Sequence, residues 1–440
     1  MENLKADAIQ IVTDLQKAGH IAYFAGGCVR DKLMGLTPTD YDIATTAKPE
    51  EVERLFKKTV SVGKQFGVTI VVRNQHHFEV ATFREEGDYQ DGRHPGRVSF
   101  SRPEKDALRR DFTINGMFFD PIQDKVIDYV DGQLDIQKKV IRTIGNPRDR
   151  FKEDKLRLLR AARFAVNLGF SITPETKKAI QEMASDIGCV SQERIRDELI
   201  KLFTRPRAGD GLYLLSELGL LKVILPEIEA MKGVQQSPEF HPEGDVFVHT
   251  AIILNQLKDP SPILAFGALL HDVGKPATQA VKEGKITFYS HEHVGAEMAE
   301  KILRRLRFSN HEIDGILSCV VNHMKFAAVQ QMRLGKLKQF VTREGFDDEL
   351  EFHRIDCLSS HGKLDNYQFL KLKLKEFEIE NLKPKSLING HDLKKIGIVS
   401  GPLMKTILDE VYVQQLEGKW QNKEEVLEWV QRTYQKKSQG

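Results

Sequence analysis

The chain has 440 residues, of which 65 are Lys or Arg and 63 are Asp or Glu, so its formal net charge at pH 7 is only +2. That balance gives little sign of a polyanionic partner, and the length exceeds what one compact core usually holds, so roughly two to four domains are expected. Four distant cysteines without Cys-x-x-Cys spacing argue against a zinc knuckle, and no apolar run approaches membrane-spanning length, so we expect a cytoplasmic protein with no membrane partner.

Residues 1–140 are predicted to form an α/β domain. The start of the chain is typical of an amphipathic helix that ends at Gly19, and not of a signal peptide. Short β-rich runs then alternate with glycine turns, and helices are expected at about 28–35 and 49–58. The polar stretch 84–100 predicts a long mobile loop.

Beyond about residue 147 the pattern becomes helical almost to the end of the chain. We expect a helical neck at 141–230, a histidine-rich body at 231–360 and a helical tail at 361–440. The segment 136–163 carries ten Lys or Arg against three Asp or Glu. This local surplus suits contact with RNA phosphates, and the alternative is the solvated face of an amphipathic helix.

Two acids separated by one residue follow a double glycine in the α/β region. On a strand, Asp40 and Asp42 would point to the same side with Cα atoms roughly 6.5 to 7 Å apart, and a hard divalent cation such as Mg²⁺ would relieve their repulsion. The turn at Gly26 and Gly27 leads into a helix whose N–H groups face an anion, and Arg30 adds positive charge. The pattern predicts a Mg²⁺–triphosphate site, and the alternative is a surface loop that happens to carry acids.

Several motifs, taken in order, resemble a known family. The stretch "GGCVRDKLMG…DYDIAT" resembles the first motif of the class II tRNA nucleotidyltransferases, the bacterial CCA-adding enzymes and their poly(A) polymerase relatives. "RRDFTINGMFFDP" resembles the second motif, with Gly116 in place of an alanine. "DYVDGQLDIQKKVIRTIG" resembles the connector between head and neck, "EDKLRLLRAARF" the nucleotide-selecting motif and "SQERIRDEL" the last neck motif.

The resemblance implies a polymerase-β-like α/β nucleotidyltransferase head followed by an all-α neck, an HD-type body and a tail. It implies an enzyme that adds CCA to the 3′ end of tRNA from CTP and ATP, with Mg²⁺ in the head and release of pyrophosphate. The alternatives are an A-adding enzyme, a poly(A) polymerase, a metal-dependent phosphohydrolase centred on the HD segment and a non-catalytic tRNA-binding factor. Asp91 and Arg93 resemble a flexible-loop element of enzymes that add the terminal adenine. No pattern indicates an oligomeric state.

The nucleotide-selecting motif places Asp154 and Arg157 three residues apart, as neighbours on one helix face. Cytosine and adenine both present an amino donor beside a ring-nitrogen acceptor, so a carboxylate and a guanidinium can bind either base, whereas guanine and uracil would leave both groups unpaired. The resemblance assigns that role to this pair, and it assigns Arg110 and Asn115 to phosphate or sugar and Asp111 to the ribose. A helical salt bridge and a basic strand-to-helix turn are the alternatives.

Two further acids have less specific assignments. Glu79, in the strand "HFEVATFR", is either a third acid near the metal or a strand-face charge. Glu153 is expected to orient the base-selecting pair.

A second chemistry is indicated in the body, where histidines and aspartates follow the order expected of an HD domain. Such residues on facing helices bind one or two divalent metals (Mg, Mn, Ni or Fe) and activate water for phosphoester hydrolysis. His293 is a rival to one of the ligands, and the alternative is a set of buried core histidines in an inactive scaffold. The candidate ligands are His249, His271, Asp272, His291, His323 and Asp356.

Overall fold

The structure is a computed structural model that describes residues 2–60, 67–87, 98–237, 241–242, 244–377 and 384–435. The loop residues Asp91 and Arg93 lie outside the described residues. The chain divides into two compact units, Met1–Glu229 and Ala230–Gly440. The first unit contains the predicted head and neck and the second contains the predicted body and tail, while the finer division into four parts stays a prediction.

A mixed seven-stranded sheet lies in the first unit. The strands of this unit are β1 Ala22–Ala25, β2 Asp42–Thr45, β3 Thr59–Val60, β4 Val68–Arg73, β5 His76–Thr82, β6 Arg84–Glu86, β7 Val98–Phe100, β8 Phe118–Asp120, β9 Lys125–Ile127, β10 Val140–Ile141 and β11 Ser171–Ile172. The sheet order is β3-β4-β5-β2-β1-β8-β9. Every neighbouring pair is antiparallel except β2 with β5, which is parallel. Two short ribbons, β6 with β7 and β10 with β11, complete the strands.

The head sheet is buried on both faces. Phe24 of β1 belongs to an apolar cluster that also contains Ile11 and Leu15, whereas its neighbour Ala25 belongs to a second cluster with Phe118. Successive side chains of a strand point to opposite faces, so β1 contributes to both clusters. A strand covered on both sides needs a continuous apolar run, and "AYFA" provides one.

The first helices of this unit alternate with the head strands along the chain, and the later helices form the predicted neck. They are α1 Glu2–Lys17, α2 Gly27–Leu33, α3 Pro49–Leu55, α4 Pro103–Leu108, α5 Gly132–Lys138, α6 Pro147–Glu153, α7 Leu156–Leu168, α8 Pro174–Met183, α9 Gln192–Phe203, α10 Ala208–Glu217, α11 Leu221–Ile224 and α12 Pro226–Glu229. Helix α7 ends at Gly169, whose φ of 67° is a left-handed conformation that glycine adopts without strain.

Two expectations for this unit are wrong. Asp40 is not a strand residue, because β2 begins at Asp42. The helix expected across the nucleotide-selecting motif is two helices, α6 and α7, since Asp154 has an extended backbone with φ −143° and ψ 106°. Its carboxylate Oδ1 accepts the N–H of Leu156 at 3.0 Å and so starts the second helix.

The second unit is helical apart from one ribbon, β12 Ala280–Lys282 with β13 Lys285–Thr287. Within the described residues, none of the helices has the length and apolar character needed to cross a membrane. The helices are α13 Val246–Gln256, α14 Pro262–Leu270, α15 Lys275–Thr278, α16 His291–Arg305, α17 Asn310–Asn322, α18 Leu334–Val341, α19 Phe346–Ser359, α20 Asp365–Phe377, α21 Gly390–Lys395, α22 Pro402–Leu416 and α23 Lys423–Val430.

Candidate functional site

A cleft of about 740 Å³ opens in the first unit, and helices α2, α7 and α9 contribute to its walls. Its walls come from five separate stretches of the sequence. The predicted nucleotide-binding and Mg²⁺-binding residues of the head and neck, other than the less specific Glu79, line it. These residues are Gly26, Gly27, Arg30, Asp40, Asp42, Arg110, Asp111, Asn115, Asp154 and Arg157.

The double glycine forms the turn between β1 and α2. Gly26 has φ 71° and ψ −125°, a backbone conformation that disfavours other residues. A Cβ atom at this position would lie 3.1 Å from Nη1 of Arg110, so the turn also lets that guanidinium approach the backbone closely. Arg30, one turn into α2, donates to Oδ1 of Asn115 at 2.8 Å and pairs with Asp31 at 2.7 Å. Two basic groups therefore flank the turn.

The acids lie at one edge of the cleft. Asp42 is the first residue of β2, and Asp40 precedes it in the connecting loop; both are exposed. Glu79 lies on the parallel neighbour β5, one residue before the aligned pair Ile43 and Val80. The protein around the Asp42 carboxyl, followed by the charges of Asp40 and Glu79, raises the pKa of Asp42 to about 6, against the opposing effect of Arg110. A divalent cation at this edge would relieve that crowding of like charges.

The second motif links the head to the neck through a buried ion pair. Arg160 of α7 donates to Oδ2 of Asp111 from Nε at 2.9 Å and from Nη2 at 2.6 Å. Burial alone would raise the pKa of Asp111, but Arg160 and then Arg157 outweigh it and lower the pKa to about 2. Asp111 is therefore ionised throughout the physiological range and is an acceptor only.

The two residues predicted to select the base do not form a salt bridge with each other. Asp154 Oδ2 accepts from Arg194 of α9 at 2.7 Å, whereas Arg157 Nη1 donates to Oε2 of Glu153 at 2.6 Å. Arg157 also donates to the backbone carbonyl of Arg109 at 3.1 Å. Glu153 thus contacts Arg157, and the alternative of a helical salt bridge between Asp154 and Arg157 is absent among these contacts because a helix break separates the two residues.

The second unit brings the predicted metal ligands together around Asp272. His271 Nε2 lies 3.0 Å from Oδ2 of Asp272, and His291 Nε2 lies 3.4 Å from Oδ1. His249 Nε2 lies 3.1 Å from Oδ1 of Asp356. Two triads have ligand atoms within 4.8 Å of one another, and they share Asp272: one adds His249 and His271, the other His291 and His323. The described acids of the head form no triad this tight.

The imidazoles of the cluster point lone pairs at one another. His291 Nδ1 lies 2.9 Å from the carbonyl of Phe288 and His323 Nδ1 lies 2.6 Å from that of Val320, so in each ring Nδ1 is placed to donate a hydrogen bond and Nε2 faces the cluster. Burial, then His271, lowers the pKa of His323 to about 3, which keeps that ring neutral. The two Nε2 atoms nevertheless lie 3.1 Å apart. Two lone pairs at this distance repel, and a metal cation bound by both removes the repulsion.

The cluster lies beside a basin of about 1210 Å³. His291, His323 and Asp356 line it, together with Lys275, which pairs with Oδ2 of Asp272 at 2.7 Å. His293 is outside the cluster, since its side chain is 65% exposed. The structure thus places His291 in the cluster and His293 outside it.

Three family models match the chain: "Poly A polymerase head domain" at residues 22–142, "Probable RNA and SrmB- binding site of polymerase A" at 169–232 and "HD domain" at 245–343. A CCA-adding enzyme of Bacillus subtilis (strain 168) is 50% identical over 221 residues, which are 50% of this chain and 55% of that protein. One of Geobacillus sp. (strain WCH70) is 47% identical over 214 residues, 48% of this chain and 53% of that protein. The chain thus spans about half the length of the curated relatives it matches.

Likeness to a solved structure extends over the whole chain. The crystal structure of the Bacillus stearothermophilus CCA-adding enzyme in complex with CTP is 27% identical, has a TM-score of 0.75 and covers 100% of both chains. These matches make the chain similar to the class II tRNA nucleotidyltransferases and poly(A) polymerases in its head, RNA-binding and HD segments. The polymerase-β-like head, the helical remainder and the HD domain expected from the sequence are confirmed.

Sequence patterns missed part of the cleft wall. Arg157, Arg160 and Arg163 recur every third residue of "RLLRAARF", and that spacing on a helix would have identified a basic stripe. Glu198 of α9, only 3% exposed, holds Arg163 at 2.5 Å and Arg160 at 3.7 Å. The missed lining residues of the neck are Arg160, Arg163, Phe164, Asn167, Lys201 and Arg205.

Proposed function

We propose that this protein is a template-independent tRNA nucleotidyltransferase that adds the 3′-terminal CCA to tRNA from CTP and ATP and releases pyrophosphate. One observation carries the proposal: residues predicted separately for metal, phosphate, ribose and base binding, from four stretches of sequence, line one cleft. The cleft combines an acidic edge, a basic turn and a carboxylate–guanidinium pair, which are the groups that transfer of a nucleotide requires.

Asp40 and Asp42 would hold Mg²⁺ at the acidic edge, with Glu79 beside them. When bound there, Mg²⁺ supplies the positive charge that stabilises the reacting phosphates. Arg30 and Arg110, at the glycine turn, bind the triphosphate and stabilise the pyrophosphate that leaves. The 3′-hydroxyl of the tRNA then attacks the α-phosphate of the bound nucleotide.

The neck end of the cleft selects the base. Asp154 accepts a hydrogen bond from the amino group of cytosine or adenine, and Arg157 donates one to the neighbouring ring nitrogen. Asp111 and Asn115 face the sugar between base and phosphates. Basic residues in 136–163 bind the phosphates of the acceptor stem, so we expect tRNA affinity to fall as salt rises.

CCA addition is favoured over addition of adenine alone by the relatives. The solved relative with 27% identity binds CTP, and the curated relatives are named CCA-adding enzymes. The loop residues Asp91 and Arg93, which lie outside the described residues, resemble an element of enzymes able to add the terminal adenine, and this resemblance does not separate CCA addition from the A-adding and poly(A) alternatives. These alternatives therefore become outcomes of the experiment.

Purified protein is incubated with labelled CTP or ATP and tRNAs that end before the first C, before the second C or before the terminal A. We expect CMP incorporation on the first two and one AMP on the third. Asp42→Asn should abolish both, whereas the matched control Asp124→Asn, at an exposed turn outside the cleft, should not. Incorporation on the third substrate alone would favour an A-adding enzyme, long adenylate tails a poly(A) polymerase, and incorporation by Asp42→Asn would refute the site.

A second activity is supported by a separate observation, the facing imidazole lone pairs in the second unit. We propose that His249, His271, Asp272 and their partners bind one or two divalent metals and hydrolyse a phosphoester. Among Mg, Mn, Ni and Fe, a site with four imidazoles suits Ni or Fe better than Mg. Phosphodiesterase activity on bis(p-nitrophenyl) phosphate should disappear in His271→Ala and survive in the matched control His293→Ala. Activity that survives in both would refute the site.

A further inference from the structure

Asp154 and Arg157, the residues proposed to select the base, belong to two separate ion pairs. Asp154 and Arg157 are three residues apart in sequence and carry opposite charges, yet each pairs with a different residue. Asp154 accepts from Arg194 at 2.7 Å and Arg157 donates to Glu153 at 2.6 Å. The carboxylate that must accept from a base and the guanidinium that must donate to it are thereby prevented from satisfying each other.

Arg194 acts from behind the cleft wall. It lies in the first turn of α9, and its side chain is 24% exposed. Among the described residues that line the cleft, Asp154 is present and Arg194 is not. Asp154 also accepts the N–H of Leu156 through its other oxygen, at 3.0 Å. Each carboxylate oxygen can accept two hydrogen bonds, so these two contacts fix the group while leaving each oxygen one acceptor position.

We propose that Arg194 is a positioning residue for base selection: it holds the Asp154 carboxylate as a fixed acceptor and keeps it from pairing with Arg157. This inference rests on the proposed nucleotidyltransferase function. Without the Arg194 charge, Oδ2 of Asp154 loses its partner at 2.7 Å, and the cations of the same segment, Lys155 and Arg157, can pair with it. The selecting pair would then be satisfied internally and would no longer distinguish an amino group from a carbonyl on the base.

The test compares kcat/KM for CTP and UTP on a tRNA that ends before its first C. In Arg194→Gln we expect the CTP:UTP ratio to fall by about tenfold, because a polar group that finds its partner inside the protein no longer penalises the wrong base. The ATP:GTP ratio on a tRNA ending before the terminal A should fall similarly. Arg194→Lys retains a cation that can reach one carboxylate oxygen, and it should recover most of the discrimination.

Arg196→Gln is the matched control. Arg196 lies on the same helix and pairs with the exposed Asp197 at 2.8 Å, so the substitution also removes an ion pair from α9. It should leave both ratios unchanged. Equal losses for CTP and UTP in Arg194→Gln, or unchanged ratios, would overturn the positioning role. A wild-type protein that incorporates neither CTP nor ATP would instead refute the proposed function, so the two failures are distinguishable.

Discussion

The buried pair of Asp111 and Arg160 offers a sharp test of how head and neck are joined in the first unit. The Asp111 side chain is 10% exposed and that of Arg160 31% exposed. Lowering the carboxyl pKa from 3.8 to about 2 corresponds to about 2.5 kcal/mol of stability. Asp111→Asn should lower the free energy of unfolding by this amount. The loss should be no larger, because Glu198 still lies 3.7 Å from Arg160 and compensates its charge.

The loss of stability is measured by thermal unfolding of the whole chain, from the midpoint of the transition that belongs to the first unit. A change of about 2.5 kcal/mol should lower that midpoint by about 5–10 °C. The folded-state pKa is depressed, so the contribution is complete above about pH 5 and is lost as the pH falls from about 4 towards 2. Wild type and variant should therefore differ equally at pH 7 and pH 5.5, and by less near pH 3.

Asp197→Asn provides the matched control, since it removes an aspartate from an ion pair whose carboxylate is 54% exposed. Exposed pairs contribute less than about 1 kcal/mol. A cost for Asp111→Asn no larger than that of Asp197→Asn would refute the claim that the buried pair stabilises the joint. So would a difference that grows as the pH falls, because the sign of the pKa change would then be wrong.

Three further outcomes are expected. In the cation-free protein the pKa of Asp42 is about 6, so Mg²⁺ affinity should fall by about tenfold per pH unit below pH 6. Binding should also release a proton, which calorimetry in two buffers would detect. An affinity that does not depend on pH would contradict the assignment. His323→Ala should weaken metal retention in the second unit by at least about tenfold, while His293→Ala leaves the metal content measured by mass spectrometry unchanged. Gly116→Ala should destabilise the first unit by about 1–3 kcal/mol in urea unfolding, because its Cβ would lie 2.7 Å from Val130; an unchanged midpoint would show that the core repacks.

Most of the functional prediction followed from the order of the motifs along the chain. The double glycine, the Asp-x-Asp pair and the spacing of Asp154 and Arg157 are local patterns, so each could be recognised without knowing where it lies in space. The same holds for the histidines of the second unit, whose order along the chain is sufficient to propose a metal cluster. The confirmed parts are the polymerase-β-like head, the helical remainder and the HD domain.

Pairing between distant residues could not be predicted in this way. The helix break at Asp154 occurs where its carboxylate caps the next helix. Helical periodicity does not reveal the break, because the apolar residues on both sides keep the same helical spacing. The partner of Asp154 lies 40 residues away on α9, and that of Asp111 lies 49 residues away on α7. Helix and strand propensities depend on residues that are close in sequence, so they cannot predict such contacts.

The amino-acid sequence by itself determined which chemical groups this protein has: neighbouring acids, a glycine turn, a carboxylate and a guanidinium predicted to select the nucleobase, and a set of imidazoles. Tertiary structure decided which of them meet. It separated Asp154 from Arg157 by giving each another partner, and it turned the lone pairs of His291 and His323 towards each other. The physical reason is that hydrogen-bond and ion-pair energies depend on distances of a few ångströms, which are fixed only when helices and strands pack.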